Sequence, residues 1–499
     1  MIKNHRKILL IEPPFYRLYK NSYSLNRYPL SLGYLAASIK KFTQWDITVF
    51  NADFNPENEF IKTTFLAGQG FNNYLENLRD ISAPIWQEIF SNIEEENPDV
   101  IGISVKSQNL ASSLIIAKLI KNYDANIKII FGGPHPSMVG KELLLHKEID
   151  FVVIGEGEIT IVELLNAFEG DCEYEQINGI AYKKNGVVIQ TPPRTYISNL
   201  DILPFPIMYA TEVLKYYEQY PPDSFKYIFA SRGCPYDCFF CGSDKIWSHK
   251  VRHRTVQNVI EEIKYLQNIG ITTIHFDDDI WGIKKSYIYE FCDELKDKCM
   301  GIKWSCELHV NIVDEDIIKK MKSAGCYSIQ IGVESGNNEI LKKNKKNITL
   351  EKAFEAARLI KKNKIDLVAF FIVGFPDESA DSLNDTIQAM KKIKCDQIAY
   401  SIFTPYPGTE AFIYCKSLGI VNDSFDVSLY NHQSPLNYFS KNIQPEYFRK
   451  ILSKTEKMVD RKVLMYRIRQ IFSAGILNKI KMFGIIYSLK RAVRIFTGK

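Results

Sequence analysis

The chain has 499 residues, too long for one ordinary core and long enough for two or three domains. Hydrophobic residues make up 46% and charged residues 24%, ordinary globular values that exclude a disordered or fibrous chain. A formal net charge of +5 is too mild at this length to argue for a nucleic-acid partner, and none is expected.

The chain opens MIKNHRKILLIEPP, and the apolar run Ile8–Ile11 ends in Glu12 and two prolines. That run is too short for a signal-peptide core and reads as a strand. No stretch approaches the roughly 20 apolar residues of a membrane-spanning helix. A cytoplasmic location is therefore expected. Its ten cysteines are then metal ligands or buried small hydrophobes before they are disulfides.

From residue 7 to about 168, strand and helix patterns alternate. KILLI at Lys7–Ile11, Ile47–Phe50, VIGISV at Val100–Val105, IKIIF at Ile127–Phe131 and FVVI at Phe151–Ile154 are short β-branched runs. Helical patterns cover Ser31–Phe42, Asn109–Lys121 and Glu158–Phe168, with a helical insertion over 55–95. Such alternation predicts a doubly wound, Rossmann-like parallel sheet over residues 5–170. Asn185-Gly186 within Gly179–Gln190 is a hairpin signal. Six prolines follow between 192 and 222, so 171–225 is expected to be a hairpin and linker.

A second series starts at Tyr227. Its strand-like runs are Tyr227–Ala230, Thr273–Phe276, Lys303–Cys306, Tyr327–Ile331, Leu367–Val373 and Gln397–Phe403, with helix-like stretches between them. Six β/α units are too few for an eight-fold barrel, so a partial barrel is predicted over 226–430. Residues 431–499 look helical and basic.

After the first strand of that series stands Ser231-Arg-Gly-Cys-Pro-Tyr-Asp-Cys-Phe-Phe-Cys-Gly242. Three thiolates in eight residues suit an iron–sulfur cluster or zinc. With no fourth cysteine nearby, one metal position is left open for a ligand. A zinc site completed by His249 or His253 is the alternative. Loops at the carboxyl ends of barrel strands are where barrel enzymes place their chemistry.

C-x3-C-x2-C at Cys234, Cys238 and Cys241, ahead of a partial barrel, resembles the radical S-adenosylmethionine superfamily. Phe240 matches the aromatic residue before the third cysteine there. The resemblance implies a 4Fe–4S cluster whose open iron chelates S-adenosylmethionine, and reductive cleavage to a 5′-deoxyadenosyl radical. It also implies an external electron donor, a flavodoxin or ferredoxin. Among Asp277-Asp278-Asp279, Asp278 and Asp279 stand where family members hold the ammonium of the methionine moiety. Glu334 in Gly332-Val-Glu-Ser-Gly336 resembles the acidic residue that binds the ribose hydroxyls. Gly374 matches a glycine that lets backbone approach adenine, and Tyr406-Pro407-Gly408-Thr409 resembles a family turn.

In the N-terminal half, Phe131-Gly-Gly-Pro-His-Pro136 and Gly155-Glu-Gly-Glu158 put glycines at the carboxyl edge of the sheet, where such folds bind cofactors. With Pro29-Leu-Ser-Leu-Gly33 and Ile101-Gly-Ile-Ser-Val105, they resemble the cobalamin-binding domain of cobalamin-dependent radical S-adenosylmethionine enzymes. The resemblance spans roughly residues 5–430 and implies cofactor contacts from Ser104, Gly132, Gly133, His135, Gly155, Glu156 and Gly157. The loop Glu12-Pro-Pro-Phe-Tyr16 lacks the histidine of D-x-H-x-x-G corrinoid proteins, so cobalt is expected to have no histidine lower ligand.

The expected activity is methyl transfer to an unactivated carbon of a small molecule or lipid. The same architecture resembles an anaerobic oxidative cyclase of chlorophyll precursors, and a non-catalytic corrinoid sensor would leave the cysteine loop unexplained. Methylthiotransferases of tRNA carry further N-terminal cluster cysteines, whereas Cys172 stands alone here. Between Arg461 and Lys499 lie ten Lys or Arg and no Asp or Glu, interleaved with apolar pairs. That pattern fits a helical pair packed on the barrel, or peripheral contact with an anionic membrane surface.

Overall fold

A computed structural model describes residues 6–472 apart from 58, 60, 432 and 433. The larger sheet has seven strands: β1 (Lys7–Glu12), β2 (Asp46–Asn51), β3 (Val100–Ser104), β4 (Lys128–Gly132), β5 (Phe151–Val153), β6 (Ile180–Lys184) and β7 (Val187–Gln190). Their order is 2-1-3-4-5-6-7, with the first five parallel. Buried apolar residues run continuously along β1 and β3 because helices cover both faces. Ile8 and Leu10 pack with helices Leu30–Phe42 and Gly157–Glu169. Leu9 and Ile11 face the opposite way, onto Pro84–Glu96 and Leu110–Tyr123.

The hairpin β6–β7, set with the linker in the sequence reading, extends this sheet: β6 pairs antiparallel with β5. Its buried Ile180, Ala181 and Tyr182 satisfy the apolar edge that β5 would otherwise expose. The proline-rich stretch folds back on the same domain, where Lys215 Nζ lies 2.7 Å from Glu95 and from Glu96.

Further strands are β8 (Tyr227–Ile228), β9 (Ser231–Arg232), β10 (Arg252–His253), β11 (Thr273–Phe276), β12 (Lys303–Leu308), β13 (Cys326–Glu334), β14 (Asp366–Val373) and β15 (Gln397–Ile402). Six of them form an open parallel sheet in the order 8-11-12-13-14-15, the partial barrel. β9 and β10 make a separate antiparallel pair beside it. Trp304 packs on Trp281 with ring centroids 4.8 Å apart, in an aromatic cluster with Phe276 and Phe291 between strands and helices.

Helix Pro445–Phe472 lies against β15. Phe448 and Val459 are buried, and the Tyr466 hydroxyl donates to Asp366 at 2.9 Å. The basic stretch beyond 472, on which the membrane expectation mainly falls, lies outside the described residues. Among the described residues no helix is long and apolar enough to cross a membrane.

The loop after β1 is pinned by Asp53, whose Oδ1 accepts the N–H groups of Phe15 at 2.8 Å and Arg17 at 3.0 Å. Burial pushes its pKa up to about 7 from 3.8. The folded chain therefore holds this proton between about pH 4 and 7 while the unfolded chain has lost it, and the carboxyl's contribution falls as pH rises through that window. Asp53→Asn keeps the single accepting oxygen without the titration. Its stability relative to the parent should improve from pH 4 to 7, by up to about 1.4 kcal/mol per pH unit, in urea unfolding at each pH. A difference independent of pH would refute the assignment.

Candidate active site

The cysteine loop leaves β9 through Gly233, whose φ of 99° and close approach to the Lys250 carbonyl leave no room for a side chain. Within it the Cys241 N–H donates to the Cys238 carbonyl at 3.0 Å, and the Ser243 N–H reaches Cys241 Sγ at 3.4 Å. Burial first, with neighbouring thiols adding, pushes the pKa of each of the three up to about 11. Such thiols ionise only with a strong cationic partner, as metal coordination supplies. Three thiols carried by one loop are the donor set that an iron–sulfur cluster takes. Neither histidine of the zinc alternative joins them. His249 lies with Asp237 and Asp244, and the His253 ring packs 4.9 Å from Tyr287.

Facing this loop is the carboxyl edge of the seven-stranded sheet. Gly133 has a φ of 109°, and a Cβ there would meet the Val105 carbonyl at 3.1 Å. Ser137 Oγ donates to the Gly133 carbonyl and accepts the Gly155 N–H at 3.0 Å, tying the two glycine loops together. His135 Nδ1 lies 2.9 Å from Ser107 Oγ, and burial lowers its pKa to about 4, so the ring is neutral. Ser104 is buried at the end of β3. Met138 reaches across to the barrel, where a Cβ on Gly242 or on Gly408 would lie 2.7 Å from it. Glu12, Tyr16, Arg27, Lys106 and Asp277 line a cavity of about 250 Å³ between the two domains.

Residues 228–390 match the family model of the Radical SAM superfamily, and residues 17–165 match that of the B12 binding domain. An uncharacterized methyltransferase of Pyrococcus horikoshii, PH0819, is 32% identical over 411 residues, covering 82% of this chain and 83% of the relative. The chain belongs to the cobalamin-dependent radical S-adenosylmethionine enzymes. The cytidylyl-2-hydroxyethylphosphonate methyltransferase of Streptomyces wedmorensis is 25% identical over 459 residues, covering 84% of this chain and 83% of its own. In fold, the chain is similar to the radical S-adenosylmethionine methyltransferase TsrM from Kitasatospora setae, solved with cobalamin and a 4Fe–4S cluster bound. The TM-score is 0.63 at 17% identity, over 83% of this chain and 75% of that one. The family's cofactors are a 4Fe–4S cluster, S-adenosylmethionine and cobalamin.

Two residues assigned to cofactors from the sequence are spent elsewhere. Asp278 is buried and accepts the Ser231 hydroxyl at 2.5 Å and the Ala230 N–H at 3.1 Å, so its carboxylate is engaged in tying the loop after β11 to the segment entering β9. Glu156 is buried among guanidinium groups, with Arg232 at 2.8 Å and Arg252 at 2.9 Å. Asp277 pairs with Arg27. That leaves Asp279, close enough to Cys234 and Cys241 to raise their pKa values.

Glu334 stands at a φ of 65°, an uncommon backbone for a glutamate, and its Oε1 accepts Lys346 Nζ at 2.8 Å. Any Cβ on Gly332 would lie 2.3 Å from that oxygen, which accounts for the glycine. Gly374 has a φ of 86°, and its Cβ direction runs into Phe448 at 2.6 Å. The side chain excluded there is thus one that would collide with the C-terminal helix. Its N–H donates to Glu378 Oε2 at 2.6 Å, while the buried Oε1 has no partner and burial raises the carboxyl's pKa to about 7. Phe240 packs 5.7 Å from Phe375.

Sequence reasoning missed Lys346, the end of a Lys-Lys-Asn-Lys-Lys run that reads as a solvated face. It is 8% exposed, and its charge lowers the pKa values of all three cluster cysteines. A cation beside a cluster favours the reduced, more negative form. Lys346→Met should therefore shift the cluster midpoint to a more negative potential in an EPR-monitored redox titration. By leaving Glu334 buried and unpaired it should also cost about 3–5 kcal/mol of stability. An unchanged potential would remove Lys346 from the cluster's surroundings.

Proposed function

We propose that this enzyme is a methyltransferase acting on an unactivated carbon of a small molecule or lipid, with electrons from an external flavodoxin or ferredoxin. The observation that carries the reading is that the loop edges of the two sheets meet: Met138, just after the first glycine loop, packs against Gly242 at the end of the cysteine loop, and a cavity lined by Glu12, Lys106 and Asp277 opens between the same two domains. When bound, the cofactors supply a 5′-deoxyadenosyl radical and a transferable methyl group. Cys234, Cys238 and Cys241 would hold the cluster, to which S-adenosylmethionine would bind. Phe240 and the backbone at Gly374 border its adenosine, Asp279 takes its ammonium, and the Glu334 oxygen not bonded to Lys346 is free for ribose hydroxyls. Ser104, Gly132, Gly133, His135, Gly155 and Gly157 form the cobalamin edge. Neutral His135, engaged by Ser107, orients that edge and does not ligate cobalt.

Anaerobically reconstituted protein should bind about four irons and release 5′-deoxyadenosine, and alanine at any of the three cysteines should abolish both. Hydroxocobalamin should bind, and His135→Ala should leave the cobalt spectrum without the change that losing an axial nitrogen produces. With methyl-deuterated S-adenosylmethionine, mass spectrometry of candidate substrate pools should find a product carrying the labelled methyl group. Cleavage of S-adenosylmethionine with no corrin uptake under any reconstitution would overturn methyl transfer.

A further inference from the structure

Arg232 ends β9, and only Gly233 separates it from the first cluster cysteine. Its guanidinium is 5% exposed. Nη1 donates to Glu156 Oε1 at 2.8 Å and Nη2 to Glu158 Oε1 at 2.5 Å, while the group lies over the rings of Tyr34 at 5.5 Å and Trp247 at 5.1 Å. Glu156, Glu158 and Tyr34 belong to the N-terminal sheet domain; Trp247 lies on the short helix just after the cysteine loop. Arg252 stands opposite Arg232 in the β9–β10 pair. Its Nη1 donates to both Glu156 oxygens at 2.9 Å and to the Ile197 carbonyl at 2.7 Å. Glu156 also accepts the Ile197 N–H at 2.7 Å.

Two guanidiniums and two carboxylates therefore cancel in a buried quartet, and every bond between them crosses from one domain to the other. The anchoring points are the least arbitrary in the molecule. Glu156 sits between Gly155 and Gly157 of the cofactor edge, and Arg232 is the last strand residue before the cluster. A planar fork holding two carboxylates at once fixes orientation as well as distance, which a lysine cannot do.

We propose that Arg232 is a positioning residue: through Glu156 and Glu158 it sets the separation and orientation of the cluster loop relative to the cobalamin edge. This rests on the functional reading above, in which each edge holds its group. Transfer between groups held by different domains depends on that separation, and a displacement of about 1 Å costs on the order of 100-fold in rate.

The test uses the full chain loaded with cluster and cobalamin. The reduced cluster and Co(II) cobalamin are both paramagnetic, so the dipolar splitting of the EPR spectrum reads their separation directly. The unsubstituted protein should give one narrow distance, and Arg232→Lys and Glu156→Gln should each shift or broaden it. Both variants should still load iron and corrin and release 5′-deoxyadenosine. Lys121→Met is the control: that ammonium pairs with Asp150 at 2.7 Å at the amino-terminal end of the seven-stranded sheet, so its loss weakens packing away from the boundary. Unchanged splitting in both boundary variants, or an equal change in the Lys121 control, would overturn the proposal. Failure of the unsubstituted protein to take up corrin would count against the functional reading instead.

Discussion

In a parallel sheet every strand opens at its carboxyl end into a loop on the same edge, and this chain contains two parallel arrays whose loop edges meet. The meeting is held by unlike contacts: the buried carboxylate–guanidinium quartet, the Arg27–Asp277 pair, and Met138 against Gly242 and Gly408. Each half alone would present an ordinary cofactor edge to water. Placed face to face they enclose a cavity, and chemistry begun on one side has its reactant on the other.

The polar groups at this boundary follow one rule. A buried charge is tolerated where a partner is supplied, and each partner comes from distant sequence: Arg232 takes residues 74 and 76 positions away, and Arg27 takes one 250 away. Where burial brings backbone N–H groups but no hydrogen-bonded cation, the neutral form is favoured, as at Asp53 and Glu378, whose pKa values rise to about 7. Glu334 and Lys346 show the middle case, a pair held 2.8 Å apart by a left-handed backbone at the glutamate and room made by Gly332.

The alternation of apolar runs and helical patterns made both sheets legible, because β1 and β3 are buried on both faces and read as unbroken apolar runs. The cysteine loop was legible because its ligands are neighbours in sequence. What could not be read was partnership across the domain boundary. Glu156 lies in a glycine loop at a cofactor edge, and nothing local says that its carboxylate turns to Arg232 and Arg252. Asp278 likewise has the right place in the chain and the wrong direction, since two residues past the end of β11 its carboxylate turns to Ser231. Lys346 was hidden in a lysine run, and the positive φ values of its neighbours Lys345 and Asn347, which turn it inward, leave no trace in composition.

The partial barrel is not closed, and β15 ends it with one ladder face unpaired by any strand among the described residues. An open strand edge is a template for pairing with a second chain, and natural proteins cover or blunt such edges. Helix Pro445–Phe472 lies against that strand, with Phe448 seated over Gly374 and Tyr466 tied to Asp366. The segment after the last barrel strand therefore closes the open end of the barrel with its own side chains. A chain shortened to its two cofactor domains would keep every cofactor-binding residue and bare the apolar surface that Phe448 and Val459 cover.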